Sequence, residues 1–177
     1  TVFWQRFSEV YGADSLSDKP LFEEFYREEF QTARSACGYD PQAAETVALA
    51  RELGLRVVLA TNPIFPAVAT ESRIRWAGLD PEDFIFYTTY ENICHCKPDP
   101  CYYRDIARRL GVRPDECCMV GNDVDEDMVA ATVGMQVFLL TDCLINRRDL
   151  DIARYHHGGY RALQDLLRTL VSQNKKS

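Results

Sequence analysis

The stretch CCMVGNDVDEDMVAA, residues 117–131, puts Asp123, Asp125, Glu126 and Asp127 immediately after the apolar run Cys117-Cys118-Met119-Val120. Two unit charges about 4 Å apart repel by roughly 4 kcal/mol at an effective dielectric near 20. Acids at the start of a helix are favoured by only about 0.3–1 kcal/mol each. Asp123 and Glu126 have the spacing of a capping box, which accounts for two of the acids but not for all of them crowding one strand end. A nearby cation would relieve the repulsion, and hard oxygen donors of this kind suit Mg2+. A calcium loop of the EF-hand type is excluded. Counting from Asp123, the acids at 125 and 127 match, but Met128 stands at the required glycine and Gly134 at the closing glutamate.

Other polar groups carry weaker signals. Thr61-Asn62 before Pro63 reads by itself as turn chemistry. Lys97 by itself reads as a solvated lysine, although Pro98 and Pro100 stiffen the backbone around it. Cys94-His95-Cys96 with Cys101 nearby could hold zinc in principle. There is no CxxC pair and no second cluster, so the spacing argues against it.

These groups must be positioned by regular elements. Phe3, Trp4, Phe7, Val10 and Tyr11 recur at helical spacing, as do Phe22, Phe25, Tyr26 and Phe30. Residues 1–38 therefore read as a small helical unit whose aromatic face is a helix–helix core. From residue 39 the pattern alternates. LRVVLATN, DFIFYTTY, ECCMVGN and MQVFLLTD read as strands, the first of them buried on both faces. Between and after them, DPQAAETVALARELG, a segment ending near WAGLD, DPCYYRDIARRLG, DEDMVAATVG and GYRALQDLLRTLV read as helices. The class is α/β with a parallel, Rossmann-like sheet over 39–177. Ligands of such sheets bind beyond the carboxyl ends of the strands. Thr61 and Asn62 follow the first strand, Lys97 follows the second past a loop, and the acidic cluster follows the third.

In this order the motifs resemble the haloacid dehalogenase (HAD) superfamily of hydrolases, in the branch with a helical cap. VVLATN with Thr61 looks like the family's second motif, Lys97-Pro98 like its third, and MVGNDVDED like its fourth. The resemblance runs from about Phe3 to Leu167. It implies a small cap, here partial, over 1–38 and a HAD-like core over 39–177. It also implies Mg2+ held by Asp127 with Asp123 or Asn122, since both spacings to Asp127 occur in the family. Lys97 would neutralise the nucleophile and the phosphate, and the Thr61 hydroxyl and Asn62 N–H would bind phosphoryl oxygens. The implied activity is a Mg2+-dependent phosphatase acting on a small phosphorylated metabolite through an aspartyl-phosphate. The family's nucleophile motif, DxDx[TV] after the first strand, is absent, so the core is read as lacking its first strand and an upstream segment is expected in the intact protein. The competing readings are a catalytically inactive HAD-like binding or regulatory protein and a metal-independent dehalogenase. Dense acid argues against the latter, because without a cation it would repel an anionic substrate.

The bulk composition agrees. A net charge of −7 at pH 7 disfavours a broad nucleic-acid surface. No apolar run approaches the roughly 20 residues that span a bilayer, and the first residues, TVFWQRFSEV, show no signal-peptide pattern. Seven cysteines, an odd number with two adjacent, fit reduced thiols in a cytoplasmic protein better than a disulfide framework. Nothing in the sequence names the substrate or specifies an oligomeric state.

Overall fold

Six helices and a three-stranded parallel sheet are found among the described residues of this computed structural model, which are residues 1–174. By internal contacts the chain falls into two compact units. One comprises Thr1–Val47 with Arg56–Cys94, and the other Ala48–Leu55 with the residues from His95 on. The dividing points therefore differ from the boundary at residues 38 and 39 that the sequence suggests. Residues 1–38 share a unit with 56–94 instead of standing alone.

In the first unit, α1 (Val2–Tyr11) and α2 (Lys19–Arg27) are followed by a 3-10 segment, Glu29–Ala36. Pro20 lies in the first turn of α2, where the helix needs no N–H from it. The aromatic periodicity becomes a chain of ring contacts. Phe3 stacks on Tyr90 with centroids 4.3 Å apart, and Trp4 meets Phe22 edge-on at 5.6 Å. Phe30 stacks on Trp76, the last residue of α4 (Ala67–Trp76), at 5.4 Å. The two runs predicted as the first strands lie side by side in parallel, held by Leu59 N–H to Phe86 O (3.2 Å), Ile85 N–H to Val57 O (2.9 Å) and Thr88 N–H to Leu59 O (3.0 Å). They form an isolated bridge, Leu59 with Tyr87, in place of full strands. Residues Val57 to Ala60 are half-buried, where the sequence predicts burial on both faces. A β-branched run is fully covered only when layers close on both of its faces, and composition cannot supply those layers.

Helix α3 (Pro41–Glu52) contains one of the dividing points. In the second unit, α5 (Pro100–Leu110) follows the predicted signals closely. Asp99 caps it by accepting from Cys101 N–H at 2.8 Å, Pro100 lies in the first turn, and Gly111 ends it in the left-handed conformation at φ 68°. Its buried face is Tyr102, Tyr103, Ile106 and Ala107, one stripe at helical spacing. Burying a side chain the size of Ile106 is worth about 1.5–3 kcal/mol.

Strand β1 (Cys118–Gly121) pairs in parallel with β2 (Gln136–Leu140), Cys118 opposite Gln136 and Gly121 opposite Leu139. Strand β2 pairs in parallel with β3 (His156–Gly158), giving the order β1-β2-β3. The sequence does not mark β3, whose residues His156-His157-Gly158 carry no β-branched or alternating signal. The predicted helix in DEDMVAATVG is a 3-10 segment, Asp127–Val133. A return along a four-residue strand must cover about 13 Å. Seven residues of 3-10 helix rise about 14 Å and seven of α-helix only about 10.5 Å, so the tighter helix fits the connection. Val124, Met128 and Leu139 form the core beneath it. Helix α6 (Tyr160–Asn174) closes the unit, with Leu163 and Leu167 buried. No helix among the described residues is long and apolar enough to cross a membrane.

Candidate active site after the first strand

Strand β1 ends at Gly121, and the chain then turns through residues 122–126 into the 3-10 segment. The turn folds back so closely that a Cβ on Gly121 would overlap the Asp127 carboxyl group, so glycine is required there for space. Asp127 Oδ2 accepts the N–H groups of Asn122 and Asp123, each at 3.0 Å, and Oδ1 accepts Lys97 Nζ at 2.5 Å. The lysine and aspartate side chains are each only 7% exposed. Lys97 Nζ also lies 5.8 Å from the centroid of the Tyr102 ring. Lys97 is thus a buried, paired cation and not the solvated lysine that its local sequence suggests.

Asp123 is the second buried acid. Its Oδ1 accepts the N–H groups of Asp125 (2.9 Å) and Glu126 (3.0 Å), which closes the turn, and Oδ2 accepts Arg147 Nη1 at 2.7 Å. Burial pushes the Asp123 carboxyl up, but the Glu126 N–H, Arg147 and the Asp125 N–H outweigh it, and the net shift is below the ordinary value. Asp125 and Glu126 are half-buried. Asp125 pairs with Arg148, whose Nε lies 2.6 Å away. The Glu126 carbonyl accepts the Tyr103 hydroxyl at 2.5 Å. Burial, and then the negative charge of Asp127, keeps that hydroxyl protonated far above its usual range. Asn122 donates its side-chain N–H to Cys143 O at 2.7 Å, and its carbonyl accepts Ile145 N–H at 2.8 Å.

Lys97, Asn122, Asp123 and Asp127 are therefore brought together around one turn. Thr61 and Asn62 lie in the other unit, just beyond the Leu59 bridge. The Thr61 carbonyl accepts the Thr88 hydroxyl at 2.5 Å, and the Asn62 carbonyl accepts Ile64 N–H at 2.8 Å. The sequence reading missed Arg147 and Arg148. Only the adjacent basic pair in NRRD hints at them, more than 20 residues from the acids. They change the electrostatic argument, because the acids are already relieved by Lys97, Arg147 and Arg148 in addition to any ion. The letters of DxDx[TV] do occur at Asp125-Glu126-Asp127-Met128-Val129. They fall across a turn and a 3-10 helix, with Asp125 and Asp127 committed to Arg148 and Lys97.

The donor set fits a hard divalent ion. Asp123, Asp127 and the Asn122 side chain all offer oxygen donors. Arg147, 63% exposed, is the group that would have to yield, and a pair with so exposed a partner is worth only about 0–1 kcal/mol.

Comparison with known proteins bears on the family and the fold. A family model described as haloacid dehalogenase-like hydrolase matches residues 2–133. The phosphoserine phosphatase of Thermus thermophilus is 32% identical over 130 residues, 73% of this chain and 49% of that protein, so the chain spans about half the length of this relative. Among solved structures, a HAD phosphatase from Thermococcus onnurineus superposes with a TM-score of 0.57 at 24% identity, over 72% of this chain and 57% of that one. CbbY from Rhodobacter sphaeroides, in complex with phosphate, gives 0.59 at 21% identity, over 77% and 64%. At these identities the structures speak to the fold alone, and the fold they support is α/β and Rossmann-like.

Proposed function

The chain belongs to the haloacid dehalogenase-like hydrolases, and from that premise we propose that the intact protein is a Mg2+-dependent phosphatase acting on a small phosphorylated metabolite. The observation that carries this reading is the buried Lys97–Asp127 pair with Asp123 beside it on the same turn. An ammonium group has three N–H donors. One can stay on Asp127 while another meets a phosphoryl oxygen, a fixed charge held ready for the charge that develops in the reaction.

Asp123 and Asp127, with the Asn122 oxygen as alternate, would hold the Mg2+. When bound, the ion polarises a phosphoryl oxygen and offsets its charge. The motif, and not a distance, gives the Thr61 hydroxyl and the Asn62 N–H the role of phosphoryl-oxygen donors. In the proposed reaction an aspartate carboxylate attacks phosphorus and expels the alcohol, and water then cleaves the acyl phosphate to release phosphate. The attacking carboxylate is none of the six residues named here. A cytoplasmic setting suits the seven free cysteines.

One observation favours the inactive binding protein instead. Asp123 and Asp127 already have cationic partners in Arg147 and Lys97, so the cluster can stand without a metal. Phosphate release from a panel of small phosphomonoesters by the intact protein, with Mg2+ and with a chelator, separates the two. We expect Mg2+-stimulated turnover that Asp123→Asn and Asp127→Asn abolish and Asp125→Asn leaves nearly intact. No Mg2+-stimulated release, or equal small effects at all these positions, would replace the enzyme with the binding protein.

A further inference from the structure

We propose that His95, Asp99 and Cys101 form a binding site for one zinc-type ion, set around the turn that carries Lys97. A ring nitrogen of His95, a carboxylate oxygen of Asp99 and the Cys101 thiol sulfur all lie within 4.8 Å of one another. This is not the Cys94-His95-Cys96 string that the sequence offers. The chain reaches past Lys97 and Pro98 to take its other ligands from the cap and the first turn of α5.

Neighbouring groups prepare two of the three ligands. His95 Nδ1 is 2.7 Å from Asp105 Oδ2, one turn into α5. With Nδ1 as the donor, the ring is fixed in the tautomer that leaves Nε2 as the ligating nitrogen. A carboxylate behind a histidine is the arrangement that orients metal-bound imidazoles. Asp99 Oδ1 accepts Cys101 N–H at 2.8 Å, which fixes the carboxylate beside the sulfur. Asp99 is exposed, and His95 and Cys101 are half-buried, so an ion can enter from solvent.

The donor types choose the ion. One sulfur, one nitrogen and one oxygen suit a borderline-soft cation and are a poor set for Mg2+ or Ca2+. Zinc bonds of about 2.0–2.3 Å put tetrahedral ligands about 3.5 Å apart. The ligand atoms, within 4.8 Å of one another, therefore have to draw in to about that separation to close on the ion, and three protein ligands leave a fourth position for water. Two anionic ligands also neutralise the ion, so it does not confront the positive end of α5 as a bare charge.

The consequence is local. His95 precedes Lys97 by two residues and Asp99 follows it by two, so a bound ion would pin both flanks of the lysine turn. The site is independent of the phosphatase reading. The test uses the reduced full chain, stripped of metal and kept in excess Mg2+ so that the acidic turn does not compete. Co2+ is titrated for its thiolate charge-transfer absorption, and Zn2+ is titrated against a chromophoric chelator. We expect one equivalent of tetrahedral Co2+, with the charge-transfer band lost in Cys101→Ser. Zn2+ affinity should fall at least tenfold in His95→Gln, and about 10–100-fold in Asp105→Asn, which removes only the orienting partner. The double change Cys94→Ser, Cys96→Ser should leave binding unchanged. No binding by the wild-type chain would overturn the site. So would a band that survives Cys101→Ser, or one that vanishes with Cys94 and Cys96.

Discussion

The aromatic region of α1 and α2 and the acidic turn after β1 are held together in opposite ways. In the first, Phe3, Trp4, Phe7 and Phe22 touch at ring separations from 5.4 to 6.2 Å, in edge-on and stacked geometries alike. Such contacts are individually weak and loosely directional. Phe22 and Phe25 remain exposed to 39% and 45%. In the second, Asp127 alone accepts two backbone N–H groups and one ammonium, each oxygen in a defined direction. Loosely directional packing tolerates a change of shape. A buried charge held by directional bonds does not, because losing one partner strands another.

The sharpest break should come from Asp127→Ala. It takes the carboxylate away from the buried Lys97 ammonium and from two backbone N–H groups, and breaking a buried pair costs about 3–5 kcal/mol. Urea denaturation would show this as a large drop in midpoint. A drop below about 1 kcal/mol would mean that water already serves the site and that the contrast is false. The same pairing means that Lys97→Ala should destabilise the fold as well as slow any chemistry.

The opposite side of the comparison predicts tolerance. Phe7→Leu keeps an apolar group of similar size on α1, and such swaps usually cost less than about 1.5 kcal/mol. If it destabilises as much as Asp127→Ala, the ring geometry is specific and the comparison needs redrawing.

The smallest effect should be confined to acid. The folded pKa of Asp123 lies below the ordinary 3.8. Its contribution is therefore complete above that value and is lost as pH falls through the lower, folded one. Asp123→Asn should flatten the part of the stability profile below about pH 4, as read by denaturation at a series of pH values. An unchanged acid slope would show that the Asp123 charge does not hold the turn.

Much of the site was legible because its signals are local. Asp99, Pro100 and Gly111 state where α5 begins and ends, and the acids after Cys117–Val120 mark a strand end. The alternation of elements likewise announces an α/β class. Chain length and local propensity could not reveal β3, since His156-His157-Gly158 becomes a strand only by lying beside β2. They could not show that the connection through Asp127–Val133 would be 3-10, because that depends on the distance it must return. The sequence by itself determined which residues carry charge at which element ends. The tertiary structure decided which charges meet: Lys97 with Asp127, Arg147 with Asp123, Arg148 with Asp125. The physical reason is range. Propensity and capping act over a few residues, whereas an ion pair acts across space and takes whatever partner the packed backbone delivers within about 4 Å.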